Sequence, residues 1–280
     1  MIAYRAMLDV PRELIAQVSR LLATERRRLG TRAGTRALTC WREALLGLVW
    51  FRKHEEMTVL AAGFGVSRST AYRYRDEVVK VLHAQAPDLH DALEQVAEQG
   101  WSHVVLDGKV FRSDRVAQTT TSTKGAEIDS WYSGKHHAFG GNVAAIMRPD
   151  GFPIWTGQVS PGHLHDITVA RTGSVLGALY WAASQLGLPT LADSGYEGAG
   201  HGVWTPVKQP RNGRALGVDH RAYNALHRAT RAIGERGFAL LTGRWRALRH
   251  TTISPSKVGT IVAAGLVLTQ LEYQLRDRSC

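Results

Sequence analysis

Residues 190–195 read TLADSG. Thr190, Leu191 and Ala192 read as the tail of a buried strand, Asp193 follows at once, and Ser194 and Gly195 then break the pattern. A carboxylate at the end of a core strand is costly unless it is paired or holds a metal. Asp193 therefore either caps a turn, as Asp ahead of Gly commonly does, or serves a site. Residues 103–108, HVVLDG, end in the same way, an apolar run closed by Asp107 and Gly108. If the two strands are parallel neighbours, both carboxylates emerge at one edge of a sheet, where open α/β sheets bind ligands. Two carboxylates facing each other repel. A divalent ion removes that penalty, and all-oxygen ligands favour Mg²⁺ or Mn²⁺ over zinc.

The pattern around these strand ends predicts the frame. Phe139–Met147 and Pro153–Val159 read as strands joined by a turn at Pro149–Asp150–Gly151, and Asp166 opens a helix to about Gln185. A strand over Gly202–Val207 follows, then helices over about Asp219–Leu241 and Pro255–Arg276, the second capped by Ser254. Strands paired antiparallel and then alternating with helices predict an α/β fold, a mixed sheet covered by helices on both faces. Ahead of it the chain reads as all-α, with helices at Pro11–Glu25 and Trp41–Lys53. Met57–Gly63, a turn at Phe64–Gly65–Val66, and a helix from Arg68 to about Leu82 capped by Ser67 make a helix-turn-helix over about 57–82. Its second helix begins with Arg68, Ser69, Thr70, Tyr72 and Arg73, which suit phosphates and base edges and equally any solvated face. The expected division is residues 1–95 for a small helical DNA-binding region and 96–280 for the α/β domain.

Composition narrows the function classes. The 280 residues hold 35 Lys and Arg against 24 Asp and Glu, a net charge of +11, which favours a polyanionic partner. The excess is local. Lys208–Arg249 carries ten basic residues and two acidic ones, whereas Trp101–Val207 is nearly balanced. Cys40 and Cys280 make neither a zinc site nor a disulfide framework. The apolar stretch Val258–Leu271 reads as a core helix and the N-terminus lacks an export pattern, so the expectation is a cytoplasmic protein, nucleoid-associated when bound to DNA, with no membrane partner.

Other residues keep two readings each. In helical projection Arg221, Arg228 and Arg231 lie within about 40° of Glu235, with Ala222, Leu226, Ala229, Ile233 and Leu240 opposite. The apolar side is expected to pack. The other side is either a plain Arg231–Glu235 ion pair or a set of arginines for phosphates around a metal-binding glutamate. His163, His165 and Asp166 form H-x-H-D, a hint of a dinuclear hydrolase, although Asp166 is well placed to cap a helix. Lys135 and His136 suit a phosphate or a solvated loop, and Trp131 and Tyr132 suit a flipped base or simple packing.

Five segments together resemble the DDE transposases of bacterial insertion sequences and their eukaryotic Harbinger-type relatives. They are LDG at Asp107, YSGKH at Tyr132–His136, PGHLHDITVAR at Pro161–Arg171, ADSGY at Asp193 and IGERGFALL around Glu235, in that order and behind a helix-turn-helix. The resemblance implies an RNase H-like fold and an acidic triad of Asp107, Asp193 and Glu235 holding two Mg²⁺ or Mn²⁺ ions. It also implies cleavage at terminal inverted repeats of double-stranded DNA, strand transfer into target DNA, and a homodimer that bridges two ends. Lys135, Arg228, Arg231 and Arg244 would then join the helix-turn-helix residues on DNA. The family commonly carries Lys seven residues after the glutamate; here that position is Thr242, with Arg244, Arg246 or Arg249 as substitutes. A catalytically silent DNA-binding protein and an RNase H-like nuclease without strand transfer share these features.

Overall fold

The computed structural model describes residues 7–122, 124–210, 214–234 and 236–277. By contacts the chain forms two units, one of Met1–Ala86, Thr242–Arg249 and Ala263–Cys280, the other of Pro87–Leu241 and His250–Val262.

The first unit is helical. In α1 (Arg12–Arg28) the buried residues Leu14, Val18 and Leu22 recur at helical spacing, and α2 (Cys40–Lys53) buries Leu46, Trp50 and Phe51. Next come α3 (Met57–Phe64) and α4 (Arg68–His83), joined by a turn in which Gly65 takes the left-handed conformation (φ +68°) that glycine reaches without strain. The Ser67 hydroxyl accepts the Thr70 N–H at 3.2 Å and caps α4. Glu43 on α2 is fully buried and bound by Arg26, with Arg36 3.9 Å away. Trp245 packs edge-on against Phe51, and its indole N–H donates to Thr269.

The second unit is built on a mixed sheet. After α5 (Leu89–Glu98) come β1 (Val104–Ser113), a small ribbon of β2 (Thr119–Thr121) and β3 (Glu127–Asp129), β4 (Tyr132–Ser133), β5 (Ala138–Met147) and β6 (Pro153–Pro161). Then follow α6 (Asp166–Thr172), α7 (Val175–Gln185), β7 (Thr190–Ala192) and β8 (Val203–Trp204). Next are α8 (Val218–Gly234), α9 (Arg236–Arg244), β9 (His250–Thr251) and α10 (Val258–Asp277), the last two helices running on into the first unit. β5 lies antiparallel between β1 and β6, while β7 joins the other side of β1 in parallel and β8 extends that edge. This is an α/β, RNase H-like arrangement. Leu106, Ile146, Leu179 and Ala192 share a core with α5, α6 and α7 on one face; Val105, Phe111 and Met147 meet Gly234, Phe238 and Gly237 on the other.

Five expectations change. The strand expected to close at Asp107–Gly108 runs on to Ser113, because β1 stays paired with β5 through Arg112, and Ser254 stands ahead of Pro255 without a side-chain cap bond. The helix expected over Asp166–Gln185 is two helices, parted where Ser174 turns left-handed (φ +57°) after Gly173. The strand expected to reach Val207 stops at Trp204. Beyond it the backbone bonds α8 instead: Thr205 O accepts from Tyr223, and Val207 exchanges two bonds with the Asn224 amide at 2.8 and 2.9 Å. His227 adds a bond to Trp204 O. For the same reason α8 docks through the side carrying Tyr223, His227 and Gly234. The side expected to pack is open, with Leu226 70% exposed and Ile233 38%. Among the described residues one helical stretch, Pro255–Asp277, is long and apolar enough to cross a membrane, and 67% of its most apolar window is buried within the protein.

Candidate active site

Leu106 on β1 stands opposite Ala192 on β7, both fully buried. Side chains alternate along a strand, so the next residues, Asp107 and Asp193, leave the sheet side by side on the opposite face. Each is fixed by the backbone just beyond it. Asp107 Oδ1 accepts the Gly108 N–H at 2.9 Å, and Asp193 Oδ1 accepts the Gly195 N–H at 2.8 Å. Asp193 thereby caps the short 3₁₀ turn Ser194–Tyr196 and stands beside Asp107 as well. Burial pushes the Asp107 carboxyl up to about 6, from 3.8, and the charges of Asp193 and Asp166 push it the same way. The Gly108 N–H and Arg231 pull it down.

The end of α8 covers this face. A Cβ on Gly234 would stand 2.7 Å from Val105 Cγ1, and one on Gly237 would stand 2.6 Å from Met147 Sδ, so only glycine allows the helices so close. Val105 and Asp107, two residues apart, face the same way. Glu235 lies outside the described residues. Arg231 is half-buried and Arg228 exposed.

A third aspartate approaches from the other side of β1. Asp166 was expected to cap its helix, but His165 is the N-cap residue of α6 and no side chain caps that end. The buried amide of Asn142, on the neighbouring strand, takes the carboxylate instead, donating from Nδ2 at 2.8 Å, and Lys135 Nζ lies 3.3 Å away. Asp166 Oδ1 is 2.7 Å from where a Cβ on Gly108 would be. Asp107, Asp166 and Asp193 all act on Tyr196, whose fully buried hydroxyl has no hydrogen-bond partner among the described residues. Burial and these charges push its pKa well up.

Among the described residues no three carboxylate, imidazole or thiolate groups close on one point. The H-x-H-D stretch is accordingly no metal cage: His163 Nδ1 bonds Ser130 O at 2.7 Å and His165 is exposed. The Asp107–Asp193 pair does suit a hard divalent cation, being all oxygen, half-buried and mutually repelling. Sequence reasoning read Asp166 only in the H-x-H-D stretch or at a helix start, and did not bring it beside Asp107 and Asp193. The signal was the glycine that follows each aspartate, Gly108 within β1 and Gly195 past β7, since glycine in such places marks a close approach by another group.

On α4, Arg68, Ser69 and Arg73 are exposed and Thr70 and Tyr72 half-buried. Arg73 donates to Thr70 Oγ1 at 3.2 Å, and the Tyr72 ring lies against the guanidiniums of both Arg68 and Arg75. Arg244 is engaged differently, bonding Glu272 and Asp9 with 16% of its side chain exposed. It ties the helical unit together, while the next two arginines, Arg246 and Arg249, are exposed. Trp131 is buried and donates to Gln118, so it packs; Tyr132 lines a cavity of about 650 Å³ with Lys135, His136 and Asp166.

A mixed sheet of this topology, with Asp107 on its β1 and Asp193 just past β7, defines an RNase H-like frame. The family model of the DDE superfamily endonucleases matches residues 106–270, more than half of the chain, and the chain belongs to that family. The helix-turn-helix of DDE superfamily endonucleases matches residues 36–88, which take in α2, α3 and α4. No curated protein and no solved structure matches the chain.

Proposed function

We propose that the chain is the DNA transposase of an insertion sequence, binding terminal inverted repeats through a helical region of residues 1–95 and cutting and joining strands in a domain of residues 96–280. The observation that carries this reading is the parallel pairing of β1 with β7, which sets Asp107 beside Asp193 in a member of the DDE endonuclease family. Asp107, Asp193 and Glu235 are the proposed catalytic carboxylates and would hold two Mg²⁺ or Mn²⁺ ions. When bound, such ions activate the attacking hydroxyl and offset charge on the leaving oxygen.

The protein's own groups do the rest. Asp107 must be ionised, and Arg231 favours that form. In the first step a water oxygen bonds to phosphorus at the transposon end, the P–O3′ bond breaks, and the departing oxygen leaves as a 3′-hydroxyl. In the second step this hydroxyl attacks phosphorus in target DNA, displacing the target's own 3′-oxygen. Arg68, Ser69, Thr70, Tyr72 and Arg73 reach the duplex, and Lys135, Arg228 and Arg231 neutralise phosphates. Arg244, bonded to Glu272, leaves that role to Arg246 and Arg249. Joining two ends calls for a homodimer.

The test is incubation with Mg²⁺ or Mn²⁺ and DNA carrying the repeats that flank the coding region. Nicking at the repeat ends followed by joining is expected, both lost in Asp107→Ala, Asp193→Ala and Glu235→Ala while DNA binding persists. Nicking without joining would make the chain a nuclease. Binding without nicking would make it a silent DNA-binding protein, for which Thr242 in place of the usual Lys is the argument.

A further inference from the structure

We propose that Asp166 is a further acidic residue of the cation site, adding its negative charge beside Asp107 and Asp193, and that Lys135 is the stand-in counter-ion a divalent cation displaces. This rests on the metal-dependent reading above. Asp166 is not a chance surface acid. Its side chain is 15% exposed, and Asn142, itself 2% exposed, aims it. It reaches toward both aspartates. Oδ1 lies against Gly108, the residue after Asp107, and one point, the Cβ position of Gly195, is 2.9 Å from Asp193 Oδ1 and 3.6 Å from Asp166 Oδ2.

An independent observation points to a ligand. The Tyr196 hydroxyl is fully buried without a hydrogen-bond partner among the described residues, 3.0 Å from that same Cβ position at Gly108. A buried hydroxyl left unpaired is costly, and a cation with its water shell offers the missing partner. Because no three donors ring a single point among the described residues, the assigned contribution is charge. The Lys135 head is 62% exposed. An ion pair so wet is weak and yields to a cation of twice the charge.

The experiment measures Mn²⁺ binding to the full chain without DNA, from the paramagnetic resonance signal of free Mn²⁺, with the melting temperature of each variant recorded. Asp166→Asn should weaken binding about tenfold, the scale on which groups around a metal set its affinity. Lys135→Met, at an exposed side chain, should tighten it, and that gain should vanish in the Asp166→Asn background. Asp107→Asn is the control for the underlying reading. Should it lose Mn²⁺ while Asp166→Asn and Lys135→Met bind like the parent, Asp166 is structural and the proposal falls alone. Should Asp107→Asn also bind normally, the metal-dependent reading falls with it. If Asp166→Asn does not fold, an unchanged affinity in Lys135→Met overturns the proposal by itself.

Discussion

The two units treat buried acid in opposite ways. In the helical unit Glu43 is sealed from solvent against Arg26 with Arg36 close by, Glu77 is bound by Arg36, and Glu272 by Arg244. Each carboxylate meets a guanidinium whose planar fork suits it. In the sheet unit Asp107, Asp166 and Asp193 draw together around an unpaired tyrosine hydroxyl, with Lys135 at the solvent edge of one of them. In the first arrangement each carboxylate has a guanidinium beside it, although burial still raises the Glu43 carboxyl above its ordinary range. In the second, acid lies beside acid: burial first, then the charges of Asp193 and Asp166, push Asp107 up to about 6. Buried acid answered by arginine supports structure; buried acid answered by other acid marks a place for a cation.

This contrast can be broken by experiment. The largest effect is expected at the aspartate pair: Asp107→Asn should reduce nicking by at least about a thousandfold, yet leave the metal-free protein as stable as before or more so, because one buried charge is gone. A fall in its melting temperature would show that Asp107 is structural like Glu43. Next, Arg26→Ala should destabilise the protein by about 3–5 kcal/mol in denaturant unfolding, since it strands Glu43 in the core. Little or no loss there would erase the distinction from the other side.

The pH dependence follows with its sign. The folded chain holds the Asp107 proton to about pH 6, against 3.8 for an ordinary carboxyl, so between those values it binds more protons than the unfolded chain. Metal-free stability is therefore fully present below pH 3.8 and declines as pH rises through 6, by up to about 3 kcal/mol. Millimolar Mg²⁺ or Mn²⁺ should flatten that decline in thermal unfolding at pH 5 to 8; a curve indifferent to the cation would count against the site. The smallest effects belong to DNA contacts. Arg73→Ala and Lys135→Met should each lower the slope of log affinity against log salt by about one, measured on duplex DNA by fluorescence anisotropy.

How much of this was legible beforehand divides along physical lines. The turns and caps around Ser67, Gly65 and Asp193 depend on neighbours in sequence, and they stand where local chemistry puts them. The side of α8 that docks was misread because amphipathicity counts apolar side chains, whereas this helix is held by His227, Tyr223 and Asn224 bonding the chain after β8. Asp166 was misread because a helix start explained it locally, while its partner Asn142 is remote in sequence and reached only across the sheet. Arg244 likewise counted as one of a basic cluster until the fold brought Glu272 to it.

The sequence by itself determined the α/β class, the helix-turn-helix and the strand that stops just before Asp193, because strand period, caps and glycine breaks are short-range properties of a chain. Only the tertiary structure decided that Leu106 pairs with Ala192, that Asp166 comes in beside Gly108, and that Tyr196 is left unpaired among them. Those facts depend on which distant segments pack together, and burial, which gives each charge its chemistry, exists only once they do.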